Sequence, residues 1–247
     1  MGDMESFKVL IIGGTGAIGG ELIRCYQEWS LLSGVPLDLY ATCRHRSSSA
    51  QSDVTWLTVD LRRSETIFAA AEELLSLTPT LNHWVCCTGY LHGEFGSPEK
   101  ALKTLESEKI LGDFAVNSVG PLMMFQACIG LLKRAPLAKA VFLSAQVGSI
   151  EDNRSGGWYG YRMSKAALNM GVRCAAVECA RWRRPPAIIA LHPGTTVSGL
   201  SEPFTAHRHP EPQTAEQCAE HLFLRIQSLG VQETGTFQRL DGSVIPW

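Results

Sequence analysis

The sequence has almost no charge imbalance: 22 lysines and arginines stand against 24 aspartates and glutamates, a net charge of −2. Such a chain has no strong field with which to attract nucleic acid or an anionic membrane surface, so neither is expected as a partner. Its eight cysteines form no C-x-x-C pair and show no metal-ligand spacing, and they read as small buried hydrophobes. No metal site is expected. No secretory apolar region follows Met1, and no apolar run approaches about 18 residues, so neither a leader nor a membrane span is expected. The cytoplasm is the expected compartment, because a reducing one suits so many free thiols.

What the chain does have is a core. It is 247 residues long and 45% hydrophobic, within the range of one large α/β domain. Short apolar runs at Lys8–Ile12, Leu37–Cys43, Val54–Val59, Leu81–Cys87, Val141–Leu143 and Ala187–Leu191 read as strands. Between and after them, Ala17–Gln27, Glu65–Ser76, Leu105–Leu132, a stretch from near Tyr159 to about Arg181, and Thr214–Leu229 read as helices. Residues 236–238 and 244–247 close the chain as short extended pieces. Alternating strands and helices with short links predict a Rossmann-like, doubly wound parallel sheet in three layers, one domain over residues 1–247.

Gly13 to Gly20 (GGTGAIGG) follows the first strand at once and opens the first helix. That context makes a glycine motif informative. Gly13 suits the tight turn, Gly16 lets backbone approach a pyrophosphate, and Gly19 lets helix lie close to strand. Thr15, Ala17 and Ile18 fill the rest of the turn, whose helix N-terminus would hold the diphosphate. A purely structural glycine turn is the alternative. After the second strand Cys43 is uncharged and Arg44 to Arg46 follow; an arginine here accommodates a 2′-phosphate, so NADP(H) is favoured and NAD(H) possible. Asp60 and Leu61 end the third strand, where Asp60 either accepts from an adenine amino group or caps the next helix. Gly89 lies at the fourth strand's end, and Pro193 and Gly194 follow the sixth, both at the expected ligand edge.

The stretch Val141 to Asn169 carries the candidate chemistry. Tyr161 and Lys165 stand four residues apart, on one face of a helix. The ammonium is expected to favour the phenolate and to bring the phenol toward neutrality. Asn117 falls inside a predicted helix, where Asn is a poor helix former, and a place facing the crevice would explain it. Residues 195–212 lack periodicity and follow the sixth strand, a candidate substrate loop. His207 and His209 within it suggest no third metal ligand and read as solvated.

Taken in order, the glycine run, Thr88-Gly89, Asn117 and Tyr161-x-x-x-Lys165 resemble the short-chain dehydrogenase/reductase family over essentially the whole length. PEKAL after the fourth strand, GSIEDNRSGGWYGYRMSKAALN, HPGTTVSGLSEPF and TGTFQRLDGSVIPW are similar to its C-factor, or cell–cell signalling protein, branch. The resemblance implies a cofactor-dependent carbonyl–alcohol oxidoreductase acting on a small molecule. It implies Tyr161 as proton donor or acceptor, Lys165 as the group that tunes it and binds nicotinamide ribose, and Asn117 as holder of a relay water. Gly89 and Asp60 fall at ribose and adenine positions, and Pro193 and Gly194 bracket the nicotinamide. A homodimer or homotetramer is implied as well. The family's catalytic serine position holds Ala145; Ser144 precedes it and is the candidate substitute, though a strand neighbour ordinarily points to the opposite face, and Ser149 or Tyr161 alone are the alternatives. A low-turnover, cofactor-binding signalling or redox-sensing protein is the alternative function.

Overall fold

The computed structural model describes residues 5–45, 53–204 and 211–247. Seven strands, β1 (Phe7–Ile12), β2 (Leu37–Cys43), β3 (Thr55–Thr58), β4 (His83–Cys86), β5 (Lys139–Leu143), β6 (Ala187–His192) and β7 (Phe237–Arg239), form one all-parallel sheet in the order β3-β2-β1-β4-β5-β6-β7. The order reverses between β1 and β4, and the crevice at that switch point is where doubly wound sheets bind ligands.

Both faces of the sheet are covered, which is why the strands are apolar throughout rather than alternating. Val9 and Ile11 of β1 face a core shared with α1 (Ala17–Ser33) and α6 (Ala215–Ser228). Leu10 and Ile12 face the other core. There α2 (Ser64–Leu77), α4 (Gly120–Arg134) and α5 (Tyr159–Cys179) pack on Trp84 and Phe142. The helix ends follow local chemistry. Gly34 ends α1 in the left-handed region (φ 70°) and returns its N–H to Ser30 O. Thr214 and Gln217 close a reciprocal capping box on α6.

Three expectations are corrected. The predicted helix over Leu105–Leu132 is divided: α3 (Ser107–Phe114), a wide π turn over Ala115–Val119, then α4. Pro121 has no N–H to give the Asn117 carbonyl, so the ladder widens there, and Gly120 N–H reaches back to Ala115 O. Second, the sheet holds seven strands where the sequence pattern predicts six: the extended piece at 236–238 overlaps β7, paired in parallel with β6 from Ala190↔Phe237 to His192↔Arg239. Third, Ser107–Arg134 contains an 18-residue window of mean hydropathy 1.5, apolar enough to cross a membrane by composition, contrary to the expectation that no such run exists. Half of that window is buried inside the protein. Met124, Phe125, Cys128, Leu131 and Leu132 supply that apolarity to the sheet.

Candidate active site

The glycine turn is built as a close approach of backbone to backbone. Gly13 has φ +84°, a conformation side chains avoid, and donates its N–H to Thr42 Oγ1 at 2.9 Å. A Cβ on Gly19 would collide with the Gly13 carbonyl, so α1 can start against β1 only with glycine there. Thr15, Gly16 and Ala17 are exposed at the helix N-terminus, and Ile18 turns back onto the core. Gly16 is the N-cap, with no side chain occupying the cap position. The first amides of α1 therefore face outward without a protein cap.

At the carboxyl ends of β4 and β5 the predicted chemical residues converge. Asn117 is fully buried: its Oδ1 accepts Tyr90 N–H at 2.7 Å, and its Nδ2 donates to Tyr90 O at 2.8 Å and Ser164 Oγ at 3.0 Å. It thereby ties the loop after β4 to α5. Lys165 donates from Nζ to Leu143 O at 2.9 Å and lies 5.9 Å from the Tyr161 ring centroid. Gly89 is exposed beside them; a Cβ there would lie 3.9 Å from Lys165 Nζ and 4.0 Å from Asn117 Oδ1.

The electrostatics differ from the expectation that Lys165 draws the phenol toward neutrality. Burial pushes the Tyr161 phenol upward, and the Asp113 carboxylate adds to the rise. Burial also pushes Lys165 down, to about 8, with Cys86 opposing. Desolvation dominates because both groups sit in an apolar enclosure and the neutral form of each is the cheaper one there. Around Tyr161 that enclosure is Leu91 and Ala145, with Val147, Trp158, Leu200 and Phe204 packed against them.

Ser144 is corrected as the substitute for the missing serine. Its hydroxyl is buried and donates to Asn169 Oδ1 at 2.6 Å. Ala145, beyond the end of β5, is the residue packed with Tyr161. Ser149 is likewise engaged, with Trp247 O at 3.2 Å.

Asp60 does not cap α2, whose N-cap is Arg63 without a side-chain bond. Its carboxylate is held by the Arg62 guanidinium at 2.7 to 3.2 Å and by Arg62 N–H, and Arg62 keeps its pKa below the usual carboxylate range. Leu61 sits half-buried beside it. Arg44 is exposed at the end of β2 and close enough to Asp60 to lower it further. Gly194 has φ +80° and, with Pro193, borders a cleft of about 960 Å³ that runs past His192 and Gln213 toward α6. Arg46, residues 47–52, His207 and His209 lie outside the described residues.

Two participants were not singled out from sequence. Tyr90 meets Asn117 through its backbone, so its side chain carried no signal. Trp158, the N-cap of α5, takes a left-handed conformation (φ 51°) and packs edge-on to Tyr161 with centroids 6.3 Å apart. Positive φ in a tryptophan is set by its surroundings and has no local signature.

Known proteins share the sequence pattern and the fold of this chain. A family model described as short chain dehydrogenase matches residues 8–209. A curated relative, 1-hydroxy-2-glutathionyl-2-methyl-3-butene dehydrogenase of Rhodococcus sp. (strain AD45), is 33% identical over 145 residues, 58% of this chain and 61% of that protein. The aligned part thus spans about three fifths of that relative. C-signal of Myxococcus xanthus is 29% identical over 149 residues, 60% of this chain and 84% of the relative. Among solved structures, carbonyl reductase Sniffer of D. melanogaster superposes with a TM-score of 0.84 at 24% identity, covering 98% of this chain and 100% of that one. The NADPH-bound carbonyl reductase from chicken fatty liver gives 0.84 at 22% identity, covering 100% and 96%. At those identities the two structures establish a shared fold.

Proposed function

The chain belongs to the short-chain dehydrogenase family, and from that premise we propose that it is an NADP(H)-dependent oxidoreductase interconverting a carbonyl and an alcohol on a small substrate. One observation carries the reading: a buried tyrosine and a buried lysine share the ligand edge of the sheet with an uncapped glycine turn. The residues present fit a dinucleotide. The amides after Gly16 suit a diphosphate, and the side-chain-free face of Gly89, bordered by Leu200, has Lys165 Nζ and Asn117 Oδ1 within about 4 Å of it as partners for a ribose. Asp60 and Leu61 are assigned to adenine, Pro193 and Gly194 to the nicotinamide side. Exposed Arg44 supports NADP(H), with NAD(H) the alternative.

The cofactor, when bound, supplies the hydride chemistry. The protein's share is acid–base work and orientation. The Tyr161 phenol gives a proton to the substrate oxygen during reduction or takes one during oxidation. Lys165, held by Leu143 O, places its charge beside the phenol and offers donors to ribose hydroxyls. Asn117 fixes the Tyr90 loop over the site and is assigned the relay water. The apolar wall of Leu91, Trp158, Leu200 and Phe204 excludes water from the reacting oxygen, and residues 195–212 are assigned to substrate selection.

An exposed apolar set on α3 to α5, Leu111, Val119, Met163, Met170 and Val177, supports self-association through those helices. All eight cysteines are unbridged, which supports a reducing cytoplasm.

The test is NADPH oxidation by the purified protein with a panel of aldehydes, ketones and quinones. Tight NADPH binding without oxidation across the panel would overturn the reductase reading. One feature favours a second reading, a cofactor-binding signalling or redox-sensing protein of low turnover: Ala145 has no hydroxyl to hold a substrate carbonyl.

A further inference from the structure

The helix that carries Tyr161 begins without help from its own sequence. Its N-cap, Trp158, makes no side-chain cap bond, and its first turn holds no acidic residue. Four amides at such an end need acceptors, and a buried end cannot take them from water. The acceptors come from 59 to 61 residues upstream: Glu99 O accepts Trp158 N–H at 2.6 Å, and Glu99 Oε2 accepts Gly160 N–H at 3.1 Å. Glu99 is itself 4% exposed, and its other oxygen, Oε1, is buried with no hydrogen-bond partner among the described residues.

A burial so costly for a carboxylate calls for a role. Glu99 stands beside a second buried carboxylate, Asp113, which binds Lys109 Nζ through both oxygens at 2.6 and 2.5 Å. Both acids press on the same point. A Cβ on Gly160 would collide with Asp113 Oδ2 and lie 3.0 Å from Glu99 Oε1. At position 160, one residue before Tyr161, the absence of a Cβ thus lets this pair close over the start of the helix. The same bonds hold Trp158 in its left-handed conformation (φ 51°), whose strain must be met by its surroundings. Trp158 in turn packs edge-on to Tyr161 and to Phe204, with centroids 6.3 and 5.1 Å away.

We propose that Glu99 is a positioning residue for the tyrosine chemistry, capping the catalytic helix in trans through one backbone and one side-chain acceptor, so that Trp158 and Tyr161 keep one arrangement toward the substrate. The inference rests on the tyrosine reaction proposed above, and its test therefore includes a measurement that needs no turnover. Glu99→Ala removes the side-chain acceptor, whereas Glu99→Gln keeps an oxygen of the same reach.

In Glu99→Ala, amide hydrogen exchange at residues 158–161 is expected to speed about ten-fold, the size of a lost cap, while the β1 and β4 amides stay protected. Glu99→Gln is expected to restore protection. With turnover, Glu99→Ala should lower kcat about ten-fold while the NADPH Kd stays within about two-fold, and Glu99→Gln should recover most of kcat. Unchanged exchange at 158–161 in Glu99→Ala would overturn the proposal, whether or not the wild-type protein turns over. So would equal losses in Ala and Gln variants, since a charge rather than an acceptor would then matter. Should Glu99→Ala fail to fold, Glu99→Gln beside Glu99→Leu carries the same comparison. A wild-type protein inactive on every carbonyl, with exchange still Glu99-dependent, would remove the reaction and leave the cap.

Discussion

Lys165 holds its ammonium 5.9 Å from the Tyr161 ring centroid while donating to Leu143 O at 2.9 Å. The lysine is thus fixed by a strand end, and its distance to the phenol is set by the sheet rather than by the helix alone. Tyr161→Phe is expected to lower kcat about a thousand-fold, the scale of a lost general acid, and to leave NADPH affinity nearly unchanged. Lys165→Met should lower both kcat and cofactor affinity. Single-turnover rates and NADPH titrations separate the two; equal behaviour of both variants would contradict the assigned division of labour.

The phenol is raised first by burial and then by Asp113. Removing that negative charge favours the phenolate, so Asp113→Asn is expected to move the Tyr161 titration to lower pH. Phenolate absorbance, taken as a difference against Tyr161→Phe, reads this directly. A shift to higher pH would show that Lys109, left without its partner, is not the charge the phenol then meets.

Ala145 packs with Tyr161, and in the proposed reaction a hydroxyl at that place would face the substrate oxygen. Ala145→Ser is expected to raise kcat/KM about ten-fold, as one added hydrogen bond of about 1.4 kcal/mol would. Steady-state kinetics on the best carbonyl substrate check it. No gain would remove the main support for the low-turnover reading, and a gain much above ten-fold would strengthen that reading.

For the cofactor, Arg44→Ala is expected to weaken NADPH about ten-fold and NADH by less than about two-fold, because only the 2′-phosphate pairs with the guanidinium. Fluorescence titration with both cofactors measures it; equal losses would take Arg44 out of the site.

His83 gives the fold an acid sensitivity unrelated to catalysis. It is buried between Phe7 and Tyr26, its Nδ1 lies 2.7 Å from the Tyr26 hydroxyl, and burial lowers its pKa from 6.5 to about 3. Between those values the unfolded chain binds a proton that the folded chain refuses, so stability falls as pH falls, by about 1.4 kcal/mol per pH unit from this group. His83→Gln is expected to be less stable at pH 7 and to show a flatter acid limb. Urea melts from pH 4 to 7 decide it.

The sequence by itself determined the layer architecture, because runs such as Val9 to Ile12 are apolar on both sides and can only lie inside a doubly covered sheet. It also determined the candidate pair on α5, since Tyr161 and Lys165 sit on one face whatever the helix packs against. It left open which group the Ser144 hydroxyl meets. Only the tertiary structure decided that Ser144 turns to Asn169 and Ala145 to Tyr161, and that Asp60 holds Arg62 in place of a helix end. It also decided that burial, with Asp113, raises the phenol, for desolvation depends on everything packed around a group. The same holds for Glu99. Its acceptors reach amides some sixty residues away, a meeting that no local spacing encodes and that only the closing of the loop after β4 onto α5 brings about.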